Sequence, residues 1–232
     1  MNVPTGLLIR AMAVRSVTGL AFNALLLFLP AGTLDWPQGW AFLILFYLGS
    51  EATGLWLLRR DPALLVERMR SPLARSQRPR DRAIMLAILA CFLGWFVLMA
   101  LDARRFGWSH TPLWAQGVGA ALMVASFVGW FLVLRANRFA ATTIRVQAER
   151  GQTVITNGPY AVVRHPLYAS SLVFMLGAPL LLGSLWGLAG MVVFVPLIAA
   201  RALGEEALLR RDLSGYADYA RKVRFRLIPW VW

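Results

Sequence analysis

Two short runs of this sequence gather side chains able to hold and orient a charged ligand. The first is Gly158-Pro159-Tyr160-Ala161-Val162-Val163-Arg164-His165-Pro166-Leu167-Tyr168, and the second is Arg201-Ala202-Leu203-Gly204-Glu205-Glu206. A guanidinium can grip a carboxylate through its planar fork, carboxylates accept from hydroxyls or an ammonium, and phenol and imidazole rings add flat surface with hydrogen-bonding edges. Arg201 and Glu205 stand at i and i+4, a spacing that allows them to pair on one helix face. The plainer reading makes Arg164, His165 and Tyr168 an anchor at headgroup depth, and Arg201 with Glu205 an ordinary ion pair. The choice turns on whether the chain brings the two runs together.

The elements that would do so are membrane helices. Hydrophobic residues make up 59% of the 232 positions and charged residues 15%, with a mean hydropathy of +0.60. That is more apolar surface than a soluble core of this size can hide. Spans of roughly 20 residues are needed to cross a hydrocarbon core of about 30 Å. Four apolar runs of that length cover about 8–29, 37–58, 83–101 and 113–135. A fifth, about 167–203, is 37 residues long. As one helix it would extend about 55 Å, so it should fold back on itself, with Gly183-Ser184 as the natural turn. Pro179 and Pro196 fall inside its two arms, where neighbouring helices make a kink tolerable. The expected fold is an all-α, polytopic membrane bundle of about six spans, the last two a tight hairpin. It is one membrane domain, with N-terminal spans over 1–129 and the motif region over 130–232. The apolar run near Met1 reads as an uncleaved first span.

Charge sets the expected orientation. Segments 1–15, 59–82, 135–166 and 201–232 carry 2, 8, 5 and 7 basic residues, whereas 102–112 carries 2 and 30–36 none. By the positive-inside rule both termini are cytoplasmic. The net charge of +13 is a topology signal rather than a nucleic-acid footprint, because the basic residues cluster between apolar runs instead of forming a stripe. Arginine supplies 23 of the 24 basic residues, which suggests a GC-rich bacterial source and hence a bacterial inner membrane.

A hairpin at Gly183-Ser184 returns the chain to the face it left, so Arg164, His165 and Tyr168 should meet Arg201, Glu205 and Glu206 at one level. The two runs, followed by Gly215-Tyr216-Ala217-Asp218-Tyr219 and Arg226-Leu227-Ile228-Pro229, resemble the isoprenylcysteine carboxyl methyltransferase family and its phospholipid methyltransferase relatives. The resemblance covers about 130–229. It implies an integral-membrane enzyme that moves a methyl group from S-adenosylmethionine to a lipid-borne acceptor, with a cofactor pocket on the cytosolic side. It also implies cofactor-binding roles for Tyr160, Arg164, His165, Tyr168 and Glu206. Arg201 is then the group that holds an acceptor carboxylate, and Glu205 the group that orients it or, for an amine acceptor, takes a proton. Expected partners are the bilayer and a lipid, lipidated or hydrophobic small-molecule substrate, with no nucleic acid and no metal. The acceptor is expected to be the carboxylate of an isoprenylcysteine-like substrate or of another hydrophobic acid. A phospholipid amine is the alternative. An NADPH-dependent membrane reductase of the sterol-reductase type carries similar C-terminal motifs, and a small transporter or scaffold is the non-enzymatic alternative.

Outside the motifs the chain offers less chemistry. The single cysteine, Cys91, lies in an apolar run, no HExxH, P-loop or Rossmann glycine fingerprint occurs, and neither histidine has a ligand partner at metal spacing. Glu51 is an intramembrane acid two turns from Arg59 and Arg60, which could reach it; it stays outside the catalytic set. Residues 59–82 read as a solvated topology loop, with an interfacial helix as the alternative. Trp36, Trp40, Trp108 and Trp114 read as an aromatic belt, and His110 as inert. Residues 136–158 form a polar connector, with a helix end at 148–151 and an extended piece at 153–155. The tail 204–226 can cover a pocket.

Overall fold

The computed structural model describes residues 4–71, 73 and 79–232, and among these every regular element is helical. Five helices are long and apolar enough to cross a membrane: α1 (Thr5–Ala31), α2 (Pro37–Arg60), α4 (Pro79–Ala100, prolonged through Leu101–Phe106 by π-helical turns), α5 (Leu113–Ala136), and the final hairpin arm formed by α7 (Leu185–Ala189) and α8 (Met191–Asp212). The first arm of the hairpin, α6 (Pro166–Leu182), has 17 residues, about 26 Å of helix, and is shorter than the rest. Two short helices complete the set, α3 (Pro62–Met69) and α9 (Tyr216–Lys222). Proline opens α2, α3 and α6 within their first two positions, where its missing N–H is not needed. Large apolar side chains such as Leu29, Leu113 and Val192 are more than three-quarters exposed, the surface of an integral membrane protein.

The sequence expectation of a turn at Gly183-Ser184 holds. Gly183 takes a left-handed conformation (φ 90°), its amide and that of Ser184 return to the carbonyl of Pro179, and the Ser184 hydroxyl caps α7 by accepting from the Gly187 amide. That turn is pinned to the end of α4. Asp102, fully buried, accepts from the hydroxyls of Ser184 (2.6 Å) and Ser109 (2.8 Å) and from the Trp186 amide (3.3 Å). Arm and neighbour then pack closely. A Cβ on Gly177 would lie 2.8 Å from the carbonyl oxygen of Gly119, so α5 and α6 meet backbone to backbone, as small residues permit in membranes. The common core is aromatic, with Phe42, Phe46, Phe127 and Trp130 all around Phe174.

Several expectations change. Trp36 is buried against Phe28 and belongs to the core rather than to an aromatic belt, whereas Trp108 and Trp114 are exposed. Glu51 accepts a 2.5 Å hydrogen bond from Ser16 of α1 and pairs with neither Arg59 nor Arg60. The 59–82 loop holds α3, capped by Asp61, whose carboxylate accepts from the Leu64 amide; positions 72 and 74–78 of that loop lie outside the described residues. α3 is a strut rather than a free surface helix. Arg68 donates to the Ala140 carbonyl (3.0 Å), Glu67 pairs with Arg145 (3.0 Å), and the Thr142 hydroxyl donates to the Arg70 carbonyl (3.3 Å). These contacts hold the connector after α5, which has only single 3₁₀ turns at Ala148–Arg150 and Gly158–Ala161, and no strand at 153–155.

Candidate active site

The site forms where α6 begins and α8 ends. His165 stands at the N-cap of α6, and its amide donates to the Arg226 carbonyl (2.9 Å) while that of Arg164 donates to Phe225 (3.0 Å). The segment after α9 therefore runs alongside the first motif and locks it. From the other arm come Arg201, Glu205 and Glu206, one helical turn apart, so the two sequence runs do converge.

Their contacts fall into two sets. In the first, the buried Glu206 gathers guanidinium groups and an imidazole: its Oε1 lies 3.2 Å from His165 Nε2, from Arg164 Nε and from Arg226 Nε, and Arg210 stands 4.0 Å from Oε2. An ionised carboxylate only accepts, so the imidazole carries its proton on Nε2 and turns Nδ1 toward Glu205, 3.8 Å away. Arg164 also donates to the Arg224 carbonyl (3.3 Å). In the second set a phenol stands between the pair that the i, i+4 spacing suggested. Arg201 Nε donates to the Tyr168 hydroxyl (3.1 Å), which donates to Glu205 Oε2 (2.8 Å). A second fork position of Arg201 donates to the Thr142 carbonyl (2.9 Å) on the connector that α3 holds.

A cavity of about 100 Å³ opens beside these groups. Tyr160, Arg164, His165, Tyr168, Arg201 and Glu205 line it, and Glu206 stands behind them. The remaining wall is apolar on one side, with Phe139, Ile144 and Val154 of the connector, and tail-derived on the other, with Leu213, Tyr216 and Tyr219. The tail thus covers the cavity as its spacing suggested. Buried donors on this wall without a hydrogen-bond partner include Arg201 Nη1, Arg145 Nε and the hydroxyls of Tyr216 and Thr143, while Arg164 Nε meets Glu206 only as an ion pair. Unpaired buried donors are costly and point to a ligand that accepts from them.

The phenols around the cavity stay protonated. Burial, aided by Glu205, raises Tyr160 well above its ordinary value despite a hydrogen bond from Asn137 (2.8 Å). Burial, aided by Glu206, does the same for Tyr216, and burial with Tyr160 nearby does so for Tyr219, whose hydroxyl donates to the Tyr160 carbonyl (2.8 Å). Asn137 and Thr143 had no signal in the sequence, because they sit in an irregular connector. Tyr216 and Arg226 had one, since both lie in the C-terminal motifs.

Comparison with known proteins agrees with this region. The sequence is 28% identical over 127 residues to the nickel-cobalt-cadmium resistance protein NccN of Alcaligenes xylosoxydans xylosoxydans, a match that covers 54% of this chain and 56% of that protein. The chain thus spans little more than half the length of the curated relative it matches. Residues 114–214 match the family described as phospholipid methyltransferase. That stretch holds α5, the connector, both motif runs and the hairpin between them, so the resemblance read from the motifs is borne out over residues 114–214, where this chain matches the phospholipid methyltransferase family.

Proposed function

We propose that this protein is an integral-membrane methyltransferase that takes a methyl group from S-adenosylmethionine and gives it to a hydrophobic acceptor, foremost a carboxylate. The observation that carries the reading is the unpartnered Nη1 of buried Arg201, held at the cavity wall by the Tyr168–Glu205 relay beside the histidine motif.

The donor set suits the cofactor. Tyr160, His165 and Tyr168 offer ring surface, and Phe139 and Ile144 offer an apolar wall, for a flat base. The free hydroxyls of Tyr216 and Thr143 are donors for an amino-acid carboxylate, and Glu205 is an acceptor for ribose hydroxyls or an ammonium. Arg164 and Glu206 belong to the binding set in a different sense. Their mutual pairing fixes His165 at the wall. Bound S-adenosylmethionine supplies an electrophilic methyl on a sulfonium.

The residues' own work is alignment and desolvation. Arg201 holds the acceptor carboxylate at Nη1, and Tyr168 with Glu205 keeps the guanidinium from swinging away. With the cofactor bound, transfer to an acceptor carboxylate would bring opposite charges together, so the water-poor cavity would favour it and no residue would be needed as a base. The matched family's description favours a second acceptor, a phospholipid amine, for which Glu205 takes the proton. The 22 basic residues of the motif-end segments support a cytoplasmic site with both termini inside.

Two measurements test the reading. Calorimetric titration of protein in nanodiscs is expected to show binding of S-adenosylmethionine but not of NADPH, with or without chelator. Membranes given methyl-labelled cofactor are expected to yield label in a lipid or hydrophobic acid. Binding of NADPH alone would replace the methyltransferase by a reductase.

A further inference from the structure

A second cavity lies between α2 and α5 on the lipid-facing flank, and it shares no lining residue with the candidate active site. Its volume, about 470 Å³, is that of a small-ligand pocket. Leu48, Ala52 and Trp56 wall it on α2, and Val124, Val128 and Phe131 on α5. Gly49 forms part of its floor, against the ring of Phe127. The two helices approach at Gly49 and Phe127, and the rings of Trp56 and Phe131, with centroids 5.1 Å apart, meet across its motif end.

The helical register carries both walls on to cations. Arg59 and Arg60 follow Trp56 by three and four positions, and Arg135 follows Phe131 by four, so all three continue the groove stripe by one turn at the motif end. All three are exposed and have no hydrogen-bond or ion-pair partner among the described residues. The nearby acids are engaged elsewhere. Glu51 accepts from Ser16 of α1, and Asp61 caps α3. Basic residues at a helix end need no ligand by themselves, since they suit the helix dipole and the membrane surface. Here they crown an apolar slot, and that juxtaposition selects an amphiphile with an anionic head.

We infer that the α2–α5 groove is a binding site for an anionic glycerophospholipid, with one acyl chain between the helices and the phosphate on Arg59, Arg60 and Arg135. It is separate from the methyl-acceptor site and stands on the fold alone. Lipid in this groove would bind α2 to α5 just before α2 passes into the α3 strut.

Native mass spectrometry of the detergent-purified full chain tests the assignment with three probes: dioleoylphosphatidylglycerol, dioleoylphosphatidylcholine and soluble glycerol 1-phosphate. The protein is expected to retain phosphatidylglycerol roughly tenfold more tightly than phosphatidylcholine, and glycerol phosphate at the same concentration is expected not to compete. The variant Arg59→Gln/Arg60→Gln/Arg135→Gln should lose the preference. Arg80→Gln/Lys222→Gln/Arg224→Gln removes as much exposed charge elsewhere at the same end and should keep it. Ala52→Phe fills the slot and should weaken retention of both lipids, which keeps the test decisive if the triple variant fails to fold. Equal retention of the two lipids by the unaltered protein would overturn the site. So would loss of preference in the control variant to the same degree, or undiminished binding in Ala52→Phe.

Discussion

Two buried carboxylates, one at each end of the final hairpin, show how one chemical group is put to different uses. Asp102 is held through Oδ2 by neutral donors, two serine hydroxyls and an amide, while its buried Oδ1 makes no hydrogen bond. Glu206 is held by two guanidinium groups, Arg164 and Arg226, and by the His165 imidazole, and backs directly onto the cavity. A neutral clamp fixes a turn. A cationic clamp fixes a turn and also arrays rings and guanidinium groups along a wall, with Arg201, Tyr216 and Thr143 left holding unmade bonds. The difference is in the partners: neutral groups hold the turn, whereas guanidinium groups and rings line a cavity at the other end.

The comparison can be broken by mutation, and the largest effect is expected at Glu206. Removing one member of a buried charge cluster typically costs about 3–5 kcal/mol. Glu206→Gln should therefore lower thermal stability and weaken S-adenosylmethionine binding by more than tenfold, measured by calorimetry on the folded fraction. Since His165 acts through the same cluster, adding His165→Ala should cost less than the sum of the two single losses. Asp102→Ala comes next. It strands two hydroxyls and an amide, a loss of about 2–4 kcal/mol, which should appear in the melting temperature while cofactor affinity in the folded protein stays within about twofold. If affinity fell as far as in Glu206→Gln, the two ends would not be the separate devices described. Third, Arg201→Lys keeps the charge but loses the fork that reaches Tyr168, Thr142 and the cavity at once. Methyl transfer should drop about tenfold to a hundredfold with binding of S-adenosylmethionine preserved. The smallest effect belongs to Tyr168→Phe, which removes two hydrogen bonds worth about 1 kcal/mol each; kcat should fall roughly tenfold, and a fall no larger than in Tyr160→Phe would remove the relay from the mechanism.

Legibility followed the range of the interactions. The spans could be read because hydropathy over 20 residues is a local property, and Gly183-Ser184 because a 37-residue apolar run must turn somewhere and glycine tolerates the left-handed conformation found there. The convergence of His165 with Glu206 followed from that turn. The Tyr168 bridge did not, since i, i+4 spacing on α8 says nothing of a ring entering from α6. Nor did the role of α3, whose hold on the connector rests on a part-buried ion pair, Glu67 with Arg145, 78 positions apart. Trp36 looked like a belt residue because tryptophan at a span end usually is one; Phe28 and Gly39 make room for it inside.

Asp102 also sets a condition on biosynthesis. The carboxylate is made 82 residues before Ser184, the partner with which it forms its shortest bond. Every nascent chain thus passes through a stage in which Asp102 has the nearby Ser109 but not yet its hairpin partners Ser184 and Trp186, an expensive state for an acid in a membrane helix. The arrival of the hairpin adds the Ser184 hydroxyl and the Trp186 amide, so the last two helices complete the set of donors on a carboxylate made 82 residues earlier.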